Sequence, residues 1–149
     1  MINSQKCKPA SMIATLGVEP QVVTLTLDTL IAAGKKIDQV TVIYTDHPAI
    51  KTALNIIEDE FKAGVYPGLS FYPVAVTSPD GPVKDFQTEE ELQALLRTLY
   101  SEIRKVRQEK RPVHLCISGG RKVMGVMAMT VAQLLFGPDD QAWYLITEG

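Results

Sequence analysis

Apolar positions fall into two kinds of pattern along the chain. Five short runs rich in β-branched residues predict strands: Ser11–Leu16, Gln39–Thr45, Leu69–Val76, Val113–Ser118 and Ala142–Thr147. The second and fourth, VTVIYT and VHLCIS at their cores, are nearly continuous, as strands covered on both faces tend to be. Between them the period lengthens to that of helices. Val22–Gly34 predicts the first, and Pro48–Gly64 the second, with Ile50, Ala53, Leu54, Ile57 and Phe61 on one face and Gly64 as its stop. The third opens on Thr88-Glu89-Glu90-Glu91, the form of a capping box, and places Leu92, Leu95, Leu96, Leu99, Ile103 and Val106 along one stripe. The last, Val123–Leu135, has almost no polar face and therefore predicts burial on several sides. Strands alternating with helices imply βαβ units and a mostly parallel sheet of five or six strands in a Rossmann-like, three-layer α/β domain. Pro73 assigns the third strand to an edge, because it cannot donate to a ladder. Thr77–Gln87 (TSPDGPVKDFQ) reads as a turn-rich loop.

Composition adds bounds. At 149 residues the chain is one domain's worth, 1–149, with no room after the fifth strand for an effector domain. Cys7 and Cys116 have neither metal-ligand spacing nor a disulfide framework, which suits a reduced, cytoplasmic setting. The first residues lack the apolar core of a signal peptide. The longest apolar stretch, Val123–Phe136, is shorter than the ~20 residues that span a bilayer. No membrane association is expected. A net charge of −2 argues against a DNA partner, yet the average conceals a division. Residues 1–18 and 110–138 hold Lys6, Lys8, Lys110, Arg111, Arg121 and Lys122 and no acid, so +6 there is set against −8 elsewhere. In a parallel sheet the exits of the first and fourth strands share the carboxyl edge, where ligands of open α/β folds bind. An acid-free, positive edge on an acidic protein suits an anion. Lys6, Lys8, Lys110 and Arg111 precede their strands and belong at the opposite edge, which leaves Arg121 and Lys122 as the well-placed cations.

The fourth strand runs directly into Ser118-Gly119-Gly120-Arg121-Lys122 and then a helix. Two glycines let successive N–H groups converge on an anion, and the helix N-terminus adds its positive dipole end. Ser118 offers a hydroxyl, Arg121 a fork of donors and Lys122 a point charge. The spacing is neither that of a Walker A loop nor GxGxxG, so ordinary nucleotide folds are weak matches. A plain glycine turn with two solvated bases is the competing reading. The first strand's exit, Ala14-Thr15-Leu16-Gly17-Val18-Glu19-Pro20-Gln21-Val22-Val23-Thr24, forms a second candidate wall. Gly17 permits a tight turn there, Pro20 suits a first helical position, and Thr15 and Gln21 can hydrogen-bond a base or ribose.

With ATLG-x-x-PQVVT at Ala14–Thr24 and SGGRK at Ser118–Lys122, the chain resembles the CARF (CRISPR-associated Rossmann fold) domain proteins of type III CRISPR systems. The resemblance implies a homodimer that binds cyclic oligoadenylate across its two-fold axis, and, for a lone CARF-like domain, a ring nuclease that removes the messenger. It implies a reaction without metal or other cofactor: a ribose 2′-hydroxyl attacks the adjacent phosphorus and leaves a 2′,3′-cyclic phosphate. In that reaction Lys122 and Arg121 are the catalytic candidates. Ser118, Gly119 and Gly120 form the phosphate cradle, and Thr15, Leu16, Gly17 and Gln21 contact nucleotides. A two-fold dimer suits an even-numbered ring, and family habit favours four adenylates.

His47, in Thr45-Asp46-His47-Pro48, reads first as a helix cap or surface residue and second as a base or adenine contact. His114 and Cys116 read as packing within a strand, and Trp143 and Tyr144 as core or dimer contacts. One side of the apolar last helix is a candidate surface for a second copy, and a central helix covered within one chain is the competing reading. Two further readings stay open: a binding module that holds cyclic oligoadenylate without cutting it, and an unrelated α/β enzyme acting on a small phosphorylated metabolite.

Overall fold

The computed structural model describes residues 8–145; Lys6 and Cys7 and the end of the final predicted strand, residues 146–147, lie outside them. The chain follows the order β1 (Ala10–Thr15), α1 (Gln21–Ala32), β2 (Ile37–Tyr44), α2 (Pro48–Lys62), β3 (Ser70–Ala75), β4 (Thr77–Ser78), β5 (Gly81–Pro82), α3 (Glu89–Gln108), β6 (Val113–Cys116), α4 (Lys122–Leu135) and β7 (Gln141–Trp143). Five strands form one sheet in the order β3-β2-β1-β6-β7, with every neighbouring pair parallel. The sheet is Rossmann-like: the chain winds outward from β1 in one direction and then, through β6, in the other. Pro73 does lie in an edge strand, β3.

Every residue of β1 is buried, because helices cover both faces of the sheet at its centre. Met12 and Ala14 face one core with Leu27, Leu30, Ala53, Leu54 and Ile57 from α1 and α2. Ile13 faces the other, with Leu95, Leu99 and Ile103 of α3 and Met124, Ala128 and Val131 of α4. A fully buried leucine such as Leu99 contributes about 1.5–3 kcal/mol relative to exposure. The third helix begins with the full capping box: the Thr88 hydroxyl accepts from Glu91 N–H at 3.2 Å, and the Glu91 carboxylate accepts from Thr88 N–H at 2.9 Å. Gly34 and Gly64 end their helices at positive φ.

Two expectations need correction. The turn-rich loop contains a small antiparallel pair, β4 with β5, whose register (Thr77↔Pro82, Ser78↔Gly81) leaves no room for period-2 patterning. Pro20 is the N-cap of α1 rather than its first helical residue. For α4 the sequence allowed cover by a second copy or cover within one chain, and within one chain the cover is incomplete. Val126 is 63% and Leu134 71% exposed, because α3 and the sheet occupy only the Met124–Ala128–Val131 side. His114 and Cys116 are buried as expected. The Trp143 indole N–H donates to His114 Nδ1 at 3.0 Å, and burial pushes the imidazole below its ordinary pKa. Tyr144, by contrast, is exposed.

Candidate functional site

Strands β1 and β6 are neighbours at the point where the strand order reverses, so their exits open a crevice between them. The two exits touch. The Thr15 hydroxyl donates to the Gly119 carbonyl at 2.6 Å, tying one turn to the other. A Cβ on Gly17 would stand 2.6 Å from Gly120 N, so only glycine lets the two backbones approach this closely. Gly120 itself has φ +86°, a left-handed turn that aims the chain into α4. Arg121 is the N-cap of α4, and a guanidinium has no acceptor to offer. The helix therefore begins with N–H groups that no capping side chain from Arg121 satisfies, which is the condition for holding an anion.

These turns form one side of a cup of about 300 Å³, lined by Leu16, Gly17, Val18, Gly120, Arg121 and Met124. The other side comes from the β2 exit and from the segment after β5: Thr45, His47, Ile50, Lys84 and Asp85. His47 caps α2, its Nδ1 accepting from Ala49 N–H at 3.1 Å, and the ring also faces the cup. Its cap role is the one the sequence favoured. Arg121 reaches Asp85 through both arms of its fork, Nε to Oδ1 at 3.1 Å and an Nη to Oδ2 at 2.7 Å. The Phe86 N–H at 2.8 Å, and then Arg121, hold the Asp85 carboxyl below the ordinary carboxylate range. Asp46 is held low by Lys51, its ion-pair partner at the start of α2.

Lys122 is not in that lining, although with Gly120, Arg121 and Val123 it borders a separate concavity that reaches Asp85 and Phe86. It is exposed and lines a second, larger groove of about 640 Å³ along α4, shared with Ser118, Gly120, Arg121, Met129 and Tyr144. Gly120 and Arg121 form the wall between groove and cup.

The site residues named from sequence are thus only partly assembled in one place. Leu16, Gly17, His47, Gly120 and Arg121 line the cup. Ser118 and Lys122 line the groove instead, and the Ser118 hydroxyl accepts a hydrogen bond from Leu145 N–H. Gly119 packs its backbone against Thr15. Thr15 is fully buried with its hydroxyl spent on that contact, so it braces the turns rather than facing a ligand. Gln21 is the exposed first residue of α1 and is not part of the cup's lining.

An acid-free edge is also corrected. The two basic segments contain no acid, but Asp46 and Asp85 arrive from other parts of the chain. Lys84 and Asp85 were missed because they sit in a loop with no periodicity. What places them is the pairing around Val83, whose N–H donates to Val76 O at 2.9 Å and whose carbonyl accepts from Asp46 N–H at 2.7 Å. Among the described residues no group of three or more His, Cys, Asp or Glu side chains could hold a metal ion, and no helix is long and apolar enough to cross a membrane.

A family model described as CRISPR-associated protein NE0113 matches residues 19–149, a stretch that includes the SGGRK turn and all of α4. No curated protein matches this chain.

Proposed function

For a chain that belongs to the CRISPR-associated NE0113 family, we propose the function of a ring nuclease that binds and cleaves cyclic oligoadenylate, with cyclic tetra-adenylate as the expected substrate. The observation that carries this reading is the junction of the two strand exits. Gly17 against Gly120 puts an uncapped helix N-terminus and the Arg121 fork beside a cup large enough for a nucleotide unit. The likeness of the two motifs to CARF domain proteins supplies the ligand class.

In the proposed reaction the 2′-hydroxyl oxygen forms a bond to the neighbouring phosphorus while the bond from phosphorus to the 5′-oxygen breaks. The hydroxyl proton leaves the attacking oxygen, and a proton must reach the departing 5′-oxygen. The products are linear adenylates ending in 2′,3′-cyclic phosphate. The protein's work is to align the two oxygens and stabilise charge on phosphate. Arg121 grips phosphate bidentately, the Gly120 backbone at the entry to α4 cradles it, and Lys122 neutralises charge on the phosphorane-like state or the leaving oxygen. His47, facing the cup, is placed to contact a base.

The exposed apolar face of α4 supports the dimer that this reading requires. Val126, Met129 and Leu134 lie along the helix that Lys122 begins, so a second copy packed there brings two Lys122-lined grooves toward one axis. Light scattering should give about twice the 16.4 kDa chain mass.

Incubating the purified protein with cyclic tetra-adenylate in EDTA, followed by chromatography, is the deciding test. Linear products with cyclic-phosphate ends are expected. A ring left intact at excess protein would favour the second reading, a module that binds without cutting.

A further inference from the structure

The fork of Arg121 is occupied. Asp85 presents two oxygens to Nε and Nη in the same planar, two-point arrangement that a phosphate would use. We propose that Asp85 is a built-in stand-in for phosphate, so that a bound anion and this carboxylate compete for Arg121 and Asp85 sets how strongly the cup holds its ligand. The inference rests on the reading of the cup as a phosphate site and adds a residue that controls its affinity.

Three observations support competition over a static brace. The carboxylate is the fixed partner: its chain segment is anchored at Val83 by two backbone hydrogen bonds and at Thr88 by the capping box, and Phe86 N–H orients its Oδ1. The guanidinium is the movable one, because the Arg121 side chain is 69% exposed and nothing else among the described residues bonds its tip. Asp85 and Arg121 both line the cup, so an anion entering it meets the pair directly. The phosphate must draw the Arg121 fork away while Asp85 stays, and it then sits near an uncompensated carboxylate. Lys84, also in the lining, is the cation nearest in sequence to offset that charge.

Calorimetric titration of native protein, Asp85→Asn, Asp85→Ala and Asp85→Asn/Arg121→Ala with inorganic pyrophosphate and with cyclic tetra-adenylate tests this. Asparagine keeps the acceptor for Phe86 N–H, so the loop has its internal bond whether or not alanine tolerates its loss. Freeing an exposed fork and removing a like charge a few ångströms away should tighten pyrophosphate binding by about tenfold in Asp85→Asn. The gain should vanish when Arg121 is also removed. Pyrophosphate affinity that is unchanged or weaker in Asp85→Asn, or a gain that survives without Arg121, overturns the proposal. If pyrophosphate behaves as expected while cyclic tetra-adenylate binds none of the proteins, the role of Asp85 stands and the cyclic-oligoadenylate reading falls.

Discussion

Arg111 and Arg121 come from the same acid-free stretch of sequence and stand at opposite ends of strand β6. Arg111, before the strand, bonds Asp38 at 2.5 Å, Glu109 at 3.1 Å and the Pro9 carbonyl at 3.3 Å, with only 21% of its side chain exposed. Its guanidinium is held still more basic than usual, chiefly by Asp38. Arg121, after the strand, has one carboxylate and faces solvent. One arginine is consumed by the fold; the other keeps a charge that a ligand can claim. What separates them is which end of a parallel sheet they occupy. At the amino end, chain segments enter and tie down. At the carboxyl end, the strand order reverses and a gap remains.

That contrast is sharpest in activity. On the proposed ring-nuclease reading, Lys122→Ala, or Arg121→Ala, should slow ring cleavage by about 10²–10³ while leaving the thermal midpoint nearly unchanged, as expected when one charged contact to a transition state is removed from an exposed position. A comparable loss of activity in Arg111→Ala, measured in the same assay, would erase the distinction between the two ends. Stability should show the reverse. Arg111→Ala strands Asp38 and frees the Pro9 carbonyl, so denaturant unfolding should report a loss of about 1–3 kcal/mol with ligand binding intact.

The smallest effect lies at His114, in the middle of the same strand. Its imidazole pKa is lowered in the folded state by burial, and Nδ1 already accepts the Trp143 N–H. The unfolded chain therefore takes up a proton more readily than the folded one. Stability is fully present above the unfolded value near 6.5 and is lost as pH falls below it, toward the lower folded value. The slope is at most about 1.4 kcal/mol per pH unit for one proton. His114→Asn, which retains an acceptor but cannot titrate, should flatten the melting profile as pH falls below about 6.5. An unchanged slope would show that another group carries it.

Much of the framework could be read from the chain because local signals agree with it. The Thr88–Glu91 box, the stops at Gly34 and Gly64, the nearly continuous β-branched run of β2 and the edge position of Pro73 each follow from physics within a few residues. The glycines of the two turns were also legible as hinges. What the sequence could not disclose was who meets whom across the gap. Thr15 reads as a hydroxyl available to ligand until Gly119 is found beside it. Arg121 reads as free until Asp85 arrives from a loop 36 residues earlier. The exposed side of α4 was legible only as one of two choices, because apolar periodicity reports which residues need cover and not what supplies it.

The bond from Thr15 to Gly119 joins positions 104 residues apart. During synthesis, β1 can pair with β2 early, but its other edge must wait for β6, so a strand buried along its whole length in the fold emerges with a bare flank. Its completion is the slow, non-local step that topology penalises most. Since the cup exists only once that flank is filled, its walls belong to the finished fold alone, and no partly paired sheet can display it.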